Sequence, residues 1–351
     1  MKIKVLKIVG VATLAILLVL TVFWFSLPLI SQQRLGKELS QDLGVPSPAI
    51  IAHRGASHLA PESTAPAYKL ARDIGADYLE ADLQRTKDGV IVVFHDEALK
   101  RTSDIETVFP EKAEQPLSEF TYKELKQLDT GGWFNEKFPD QARDSYVGLN
   151  ILTLDELIDI AESGNNNPGL YLETKFADKY PGIEKDIIEI LERRGWIDGK
   201  PKFSDPERKV NDKLGVATVN VMERDSRLIF QSFYSHSIEE FNSLAPSVLR
   251  VTLISKDIEE KYGWENIIEE TVATSDGIGP VGNLALPWRV NKVHKKGLIV
   301  HAYTINSPFQ MRILHRSGVD GIFTDRPELA LEVYDRTNQI ELDKIFHNIG
   351  Y

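Results

Sequence analysis

The chain has 351 residues, 42% of them hydrophobic and 26% charged, values of a folded globular protein that leave no place for overall disorder. Its formal net charge of −11 repels a nucleic-acid backbone, so no nucleic-acid partner is expected, and an acidic body attracts divalent cations. Cysteine is absent, which excludes disulfides, thiolate metal sites, cysteine nucleophiles and lipidated cysteine.

In chain order, the first candidate element is an uncharged apolar run from Ile8 to Ile30. As a helix at about 1.5 Å per residue it is long enough to cross a hydrocarbon core of about 30 Å. Lys2, Lys4 and Lys7 precede it, and Phe23, Trp24 and Phe25 lie near its far end. The positive-inside rule then keeps the amino terminus in the cytoplasm and puts the remainder outside. A cleaved signal peptide is the rival, but the run is long and no small-x-small site precedes Arg34. Residues 1–34 are therefore expected to be a single transmembrane anchor. Residues 35–48, which are polar, are expected to be a linker, partly helical at most.

From Ala49 short β-rich runs alternate with amphipathic stretches. Strand candidates are Ala49–Ala52, Tyr78–Leu83, Val90–Phe94, Leu170–Glu173, Leu228–Ser232, Arg250–Ile254, Leu298–Tyr303 and Gly321–Thr324. Helix candidates between them are Pro66–Ile74, Ile183–Arg194, Ile238–Leu244, Trp264–Ala273, Trp288–Lys296 and Gln310–Ser317. Alternation of this kind over some 300 residues predicts an α/β fold, a TIM (β/α)8 barrel over residues 49–335. Two places break the rhythm. Only Gln84–Gly89 separates the second and third candidates, too little for a crossover helix. Residues 100–150, rich in Glu, Lys, Pro and Gly, read as a cap insertion over the mouth. Gly195 to Asp225 is a further polar insertion, and 336–351 a carboxyl-terminal extension.

A parallel barrel collects its chemistry at the carboxyl ends of its strands. His53-Arg54-Gly55, Glu80-Ala81-Asp82, His95-Asp96 and Glu173-Thr174-Lys175 all fall at such ends. Glu80 and Asp82 are spaced i, i+2, which puts both carboxylates on one strand face. Such a pair stays charged cheaply only with a cation between them. Glu173 supplies a third oxygen, and an all-oxygen set suits Mg2+ or Ca2+. Without a metal, the same acids would pair with Arg54 and Lys175 in a salt-bridge ring. His53 and His95 have the pKa range for a general acid and base; a single histidine of this kind is more often a hydrogen-bonded core residue. Arg54 and Lys175 can neutralise a phosphate. Gly55 allows close backbone approach. Pro61-Glu62-Ser63-Thr64 looks like a helix start with Ser63 or Thr64 as cap. Among the other histidines, His301 is read as structural.

Taken together, His53-Arg54-Gly55-Ala56, Pro61-Glu62-Ser63-Thr64, Glu80-x-Asp82, His95-Asp96, Glu173-x-Lys175, Gln231-Ser232-Phe233 and the run Asp320 to Pro327 resemble the glycerophosphodiester phosphodiesterase family. The resemblance covers roughly residues 49–333. Asp129-x-Gly131-x-Trp133-Phe134 looks like the cap segment of that family's periplasmic branch. The resemblance implies a TIM barrel that hydrolyses glycerophosphodiesters to an alcohol and glycerol 3-phosphate. It implies His53 and His95 as the acid/base pair, Glu80, Asp82 and Glu173 as holders of a divalent metal, Arg54 and Lys175 on phosphate, and Glu62 in support beside the metal. The chain departs from the family pattern at Ser63, where Asn is usual, and at Tyr303, where Trp commonly begins the late strand motif. Both departures bear on substrate preference.

Three other readings remain open on the sequence. The first is a tethered lysophospholipase D, for which Val108, Phe109, Trp133, Phe134 and Phe138 would form a lipid-facing patch on the cap. The second is a non-catalytic envelope protein on a degenerate barrel. The third is a metal-dependent aldolase-like barrel.

Overall fold

The computed structural model describes residues 33–164, 166–197, 208–211, 216–219, 226–337 and 340–351. The apolar run 8–30, and with it the expected anchor, lies outside the described residues; among those described, no helix is long and apolar enough to cross a membrane.

Eleven strands follow in chain order: β1 (Ala49–Ala52), β2 (Tyr78–Arg85), β3 (Ile91–Val93), β4 (Gly169–Thr174), β5 (Arg208–Asn211), β6 (Val216–Val219), β7 (Leu228–Ser232), β8 (Leu249–Ile254), β9 (Gly277–Pro280), β10 (Ile299–Ala302) and β11 (Gly321–Thr324). Eight of them pair in parallel in the order β1-β2-β4-β7-β8-β9-β10-β11, and β11 returns to β1, closing a barrel. The expected eight-stranded parallel barrel is present, but one member differs. The candidate Val90–Phe94 forms β3, which runs antiparallel to β2 with Val93 opposite Leu83. It is a hairpin arm outside the barrel, as its short connection requires. The eighth barrel strand is β9, Gly-Ile-Gly-Pro, whose two glycines and proline read as a turn. Its glycines answer to packing: a Cβ on Gly277 would lie 2.7 Å from Ile299 Cγ1, and one on Gly279 2.6 Å from Leu253 Cδ2.

All six candidate helices are present, within a few residues at their ends. The helix Leu154–Glu162 was not expected, although Thr153 and Glu156 form a reciprocal capping box at its start. The insertion after β3 is built from short helical turns around its own core of Leu99, Ile105, Leu117, Phe120, Leu125 and Leu128. The polar insertion 195–225 is described only at 195–197 and at the antiparallel pair β5–β6.

The ends of the described chain are tied down. Residues 33–42 form a helix at the start of the stretch expected as a partly helical linker. Leu39 and Val45 are buried against Ile51, Tyr78, Tyr171, Ile229 and Phe323, closing the amino-terminal end of the barrel. Close approach is possible because residue 36 is glycine; a Cβ there would lie 2.0 Å from Asp320 Oδ1. At the other end, the helix Leu342–Ile349 buries Phe346 and Ile349 in the main core, and Tyr351 meets the cap residue Tyr146 at 6.4 Å between ring centroids.

Candidate active site

The site begins where β1 stops. After Ala52 the backbone turns through Arg54 and Gly55, both in the left-handed region at φ 56° and 87°. A Cβ on Gly55 would sit 2.6 Å from the Ala67 carbonyl carbon, so glycine is required by conformation and by space together. The turn aims the Arg54 N–H at Glu80, 2.8 Å from Oε2. The helix that follows starts after Thr64, which makes no side-chain cap bond; its hydroxyl instead donates to the Pro61 carbonyl. Ser63 does not cap either, and its φ is 60°.

β2 carries Glu80 and Asp82 on one face, as the i, i+2 spacing predicts. In the parallel ladder Asp82 lies beside Glu173 of β4, and Glu173 beside Gln231 of β7. Oxygen atoms of Glu80, Asp82 and Glu173, all buried, lie within 4.8 Å of one another. Arg54 Nε stands 3.1 Å from Asp82 Oδ2, and Lys175 Nζ 2.8 Å from Glu173 and 3.7 Å from Asp82. Gln231 donates to Glu80 Oε1 at 3.1 Å. Burial raises the Glu80 carboxyl well above the usual carboxylate range, and the charges of Asp82 and Glu173 add to it. Burial also raises Glu173 against the pull of Lys175. For Asp82 burial is outweighed by Arg54 and Lys175, and its carboxyl is held low.

The hairpin formed by β2 and β3 explains how His95 arrives. β2 climbs past Asp82, and β3 descends so that Phe94 N–H donates to the Asp82 carbonyl at 2.9 Å. His95 therefore lies at the level of the acids although β3 is not a barrel strand. Its Nδ1 is 2.5 Å from Asp96 Oδ1. His53 has a matching partner: Nδ1 is 2.7 Å from Asp325 Oδ1, which follows β11. Burial opposes ionisation of both acids, but hydrogen bonds and the neighbouring positive groups outweigh it: Asp96 is held well below the usual carboxylate range, and Asp325 is lowered too. An ionised carboxylate only accepts, so each Nδ1 carries the proton and each Nε2 is left for the cavity. Burial, then the neighbouring Arg54, lowers the pKa of His53 despite Asp325.

A 160 Å³ cavity joins these groups, lined by His53, Arg54, Glu80, His95, Glu173 and Lys175 together with the apolar and aromatic side chains of Phe233, Leu253, Tyr303 and Phe323. Glu62 lies outside that lining and accepts from Arg54 Nη1 at 2.8 Å and from Arg101. The structure thus brings His53, Arg54, Glu80, His95, Glu173 and Lys175 to one cavity, with Asp82 beside Glu80 and Glu173 and with Glu62 behind Arg54. His301 lies buried in the barrel against the Tyr171 hydroxyl at 3.2 Å, with burial lowering its pKa to about 4, a structural setting. The sequence reading assigned no role to Asp325, Gln231 or Arg101. Asp325 carried a legible signal, since it too is an acid at a strand end.

A closed (β/α)8 barrel with two His–Asp pairs and three buried carboxylates at the carboxyl ends of its strands defines a hydrolase-type site for an anionic substrate. The sequence model of the Glycerophosphoryl diester phosphodiesterase family matches residues 53–329. A glycerophosphodiester phosphodiesterase of Bacillus subtilis is 32% identical over 283 residues, 81% of this chain and 85% of that protein. One from Caldanaerobacter subterraneus is 28% identical over 81% of this chain and 96% of its own. An Oleispira antarctica phosphodiesterase, solved with the product sn-glycerol-3-phosphate, superposes with a TM-score of 0.60 at 25% identity, covering 82% of this chain and 97% of that one. The chain belongs to the glycerophosphodiester phosphodiesterase family.

Proposed function

We propose that the protein hydrolyses water-soluble glycerophosphodiesters to an alcohol and glycerol 3-phosphate, using His53 and His95 as the acid/base pair and a divalent cation, Ca2+ or Mg2+, held by Glu80, Asp82 and Glu173. The observation that carries this reading is the pair of His–Asp dyads flanking the carboxylate triad across one cavity. The product bound by the Oleispira antarctica relative supports the same substrate class.

The donor set fits a metal. When ionised, the three buried carboxylates outnumber the two cations beside them, Arg54 and Lys175, and Arg54 is shared with Glu62. A phosphodiester adds a further negative charge, and a divalent cation would balance the excess. Asp82 Oδ2 and Gln231 Oε1 are buried without a hydrogen bond, although Asp82 Oδ2 is ion-paired to Arg54. When bound, the ion would act as a Lewis acid on a phosphoryl oxygen. His53, neutral by burial, accepts the proton of the attacking hydroxyl at Nε2. His95 donates a proton from Nε2 to the departing alkoxide, with Nδ1–H held by Asp96. Glu80, Asp82 and Glu173 would hold the ion, and Arg54 and Lys175, which stand against Asp82 and Glu173, bind the phosphate oxygens. Glu62 anchors the Arg54 guanidinium.

The anchor and its consequence belong to the same proposal. The apolar run 8–30 ends three residues before residue 33, whose helix closes the amino-terminal end of the barrel. A bilayer reached through that run faces the end opposite the mouth, with the barrel outside the cytoplasm. This favours dissolved substrates over lysophospholipids in the same membrane. Consistently, Phe134 on the cap is fully buried, Trp133 Nε1 donates to Thr130, and Phe109 packs on Phe120; only Phe138 and Val147 among the cap's large apolar side chains are exposed.

The test is release of glycerol 3-phosphate from glycerophosphocholine by the full chain in mild detergent, with and without EDTA, against His53→Ala. Release abolished by both treatments supports the reading. Release indifferent to EDTA removes the metal from it, and no release with Ca2+ or Mg2+ added removes the reaction.

A further inference from the structure

Arg101 lies on the first turn of the cap, Lys100–Thr102, and its guanidinium forks to two carboxylates at once. Nε and Nη2 donate to Asp96 Oδ2 and Oδ1 at 2.5 and 3.1 Å; Nη1 and Nη2 donate to Glu62 Oε2 and Oε1 at 2.7 and 2.8 Å. Those two acids have different clients. Asp96 holds Nδ1 of His95, and Glu62 holds Nη1 of Arg54. Among the described residues, Arg101 is the side chain that joins them. The resulting chain runs His95–Asp96–Arg101–Glu62–Arg54 and ends on the Asp82 carboxylate.

We propose that Arg101 is a positioning residue that sets the separation and orientation of His95 and Arg54, so that the cap's first turn is part of the catalytic apparatus without touching substrate. The proposal rests on the acid/base and phosphate-binding roles assigned above. Two physical points support it. A planar guanidinium offers donors on two edges and so grips two carboxylates with a pair of bonds each, fixing both planes; an ammonium can touch two carboxylates, as Lys175 does, but as a point charge that orients neither. The neighbours Leu99 and Thr102 are buried and hold the turn in place, while the Arg101 side chain is itself 41% exposed. Its loss therefore opens no cavity in the core, and the effect falls on what it orients. With Arg101 absent, Asp96 is free to turn toward water and the His95 ring to lose its fixed orientation, while Glu62 pulls on Arg54 alone.

The test compares Arg101→Gln and Arg101→Lys with wild type in the full chain. Two readouts are taken: kcat and KM for glycerophosphocholine, and the low-field Nδ1–H proton resonance of His95, assigned with His95→Gln and followed without substrate. The expected result is a fall in kcat of about 30-fold or more for Arg101→Gln with Tm little changed, and a His95 Nδ1–H signal that shifts or broadens. Arg101→Lys restores the charge but not the fork, and kcat stays within a few-fold of the Gln variant. Asp96→Asn combined with Arg101→Gln should cost little more than either alone, because both act on His95. An unmoved His95 resonance, or a kcat within a factor of two of wild type, overturns the proposal. So does full rescue by lysine. If wild type releases no glycerol 3-phosphate while the resonance moves, the reaction assignment fails and the positioning role stands.

Discussion

His53 is the residue on which the pH dependence of the site turns. Its burial and the adjacent Arg54 favour the neutral imidazole, and Asp325 opposes them. A base must be neutral to act, so activity falls as pH drops through the His53 pKa, and that acid limb should lie below the ordinary histidine value of about 6.5. Asp325→Asn removes the charge that raises the pKa, and because an amide can present a donor as well as an acceptor to Nδ1 it no longer fixes the tautomer. The limb is then expected at still lower pH, with kcat reduced by about 10²-fold or more by analogy with general-base loss. A kcat/KM profile over pH checks both; an acid limb that moves upward would contradict the assignment. Ser63 carries a different message. A non-glycine residue at φ 60° is held off its preferred backbone region, and its side chain is buried. Asn tolerates that region better, and a small void lined by Ser63, Glu62 and His95 adjoins it. Ser63→Asn is expected to stabilise the protein by about 1 kcal/mol, read as a raised urea midpoint.

At the scale of elements, the helix at 33–42 decides whether the barrel has a closed floor. Leu39 is buried beneath Ile51, Tyr171 and Phe323, so Leu39→Ala should cost about 2–4 kcal/mol as a cavity-forming change. Gly36→Ala should be worse for its size, because the new methyl meets Asp320 and His294. Both variants are expected to unfold at lower denaturant while the undamaged fraction keeps its KM, since the substitutions lie at the end of the barrel away from the cavity. This helix illustrates what the sequence could and could not convey. Residues 35–48 are polar overall, and only a few of them, Leu39 and Val45 foremost, are buried; composition registers the exposed majority. β9 failed for the opposite reason, since Gly277 and Gly279 are chosen by neighbours distant in sequence. The site was more legible than the scaffold. Its residues cluster at strand ends, where a local signal and the tertiary rule coincide, and even His95 was found although the strand before it is a hairpin arm. Arg101 had no such local signal, and Gln231, although at a strand end, carries no charge to mark it; their roles exist through partners 39 and 151 positions away.

For the molecule as a whole, the carboxylate triad sets stability against function. Glu80 and Glu173 have pKa values raised by burial, so the metal-free folded state binds protons more tightly there than the unfolded chain does. Stability must then fall as pH rises from the unfolded carboxylate value, about 4.3, through the raised folded values. Asp82 is shifted the other way, and its contribution changes only at lower pH. A divalent cation that binds the ionised triad of the folded state competes with those protons and stabilises in proportion to ln(1 + [M]/Kd). The increase in Tm produced by Ca2+ or Mg2+ should therefore be small at pH 5 and grow toward pH 8, measured by calorimetry or dye-monitored melting of the full chain at fixed ionic strength. Glu80→Gln removes one ligand charge and the largest source of repulsion together. Its metal-free form is expected to melt above metal-free wild type at pH 8, with little further gain from the ion and with activity lost. An increment in Tm that is the same at pH 5 and pH 8 would place the cation elsewhere on this acidic surface, and a Glu80→Gln variant that melts lower than wild type would mean that the buried charge is already compensated without it.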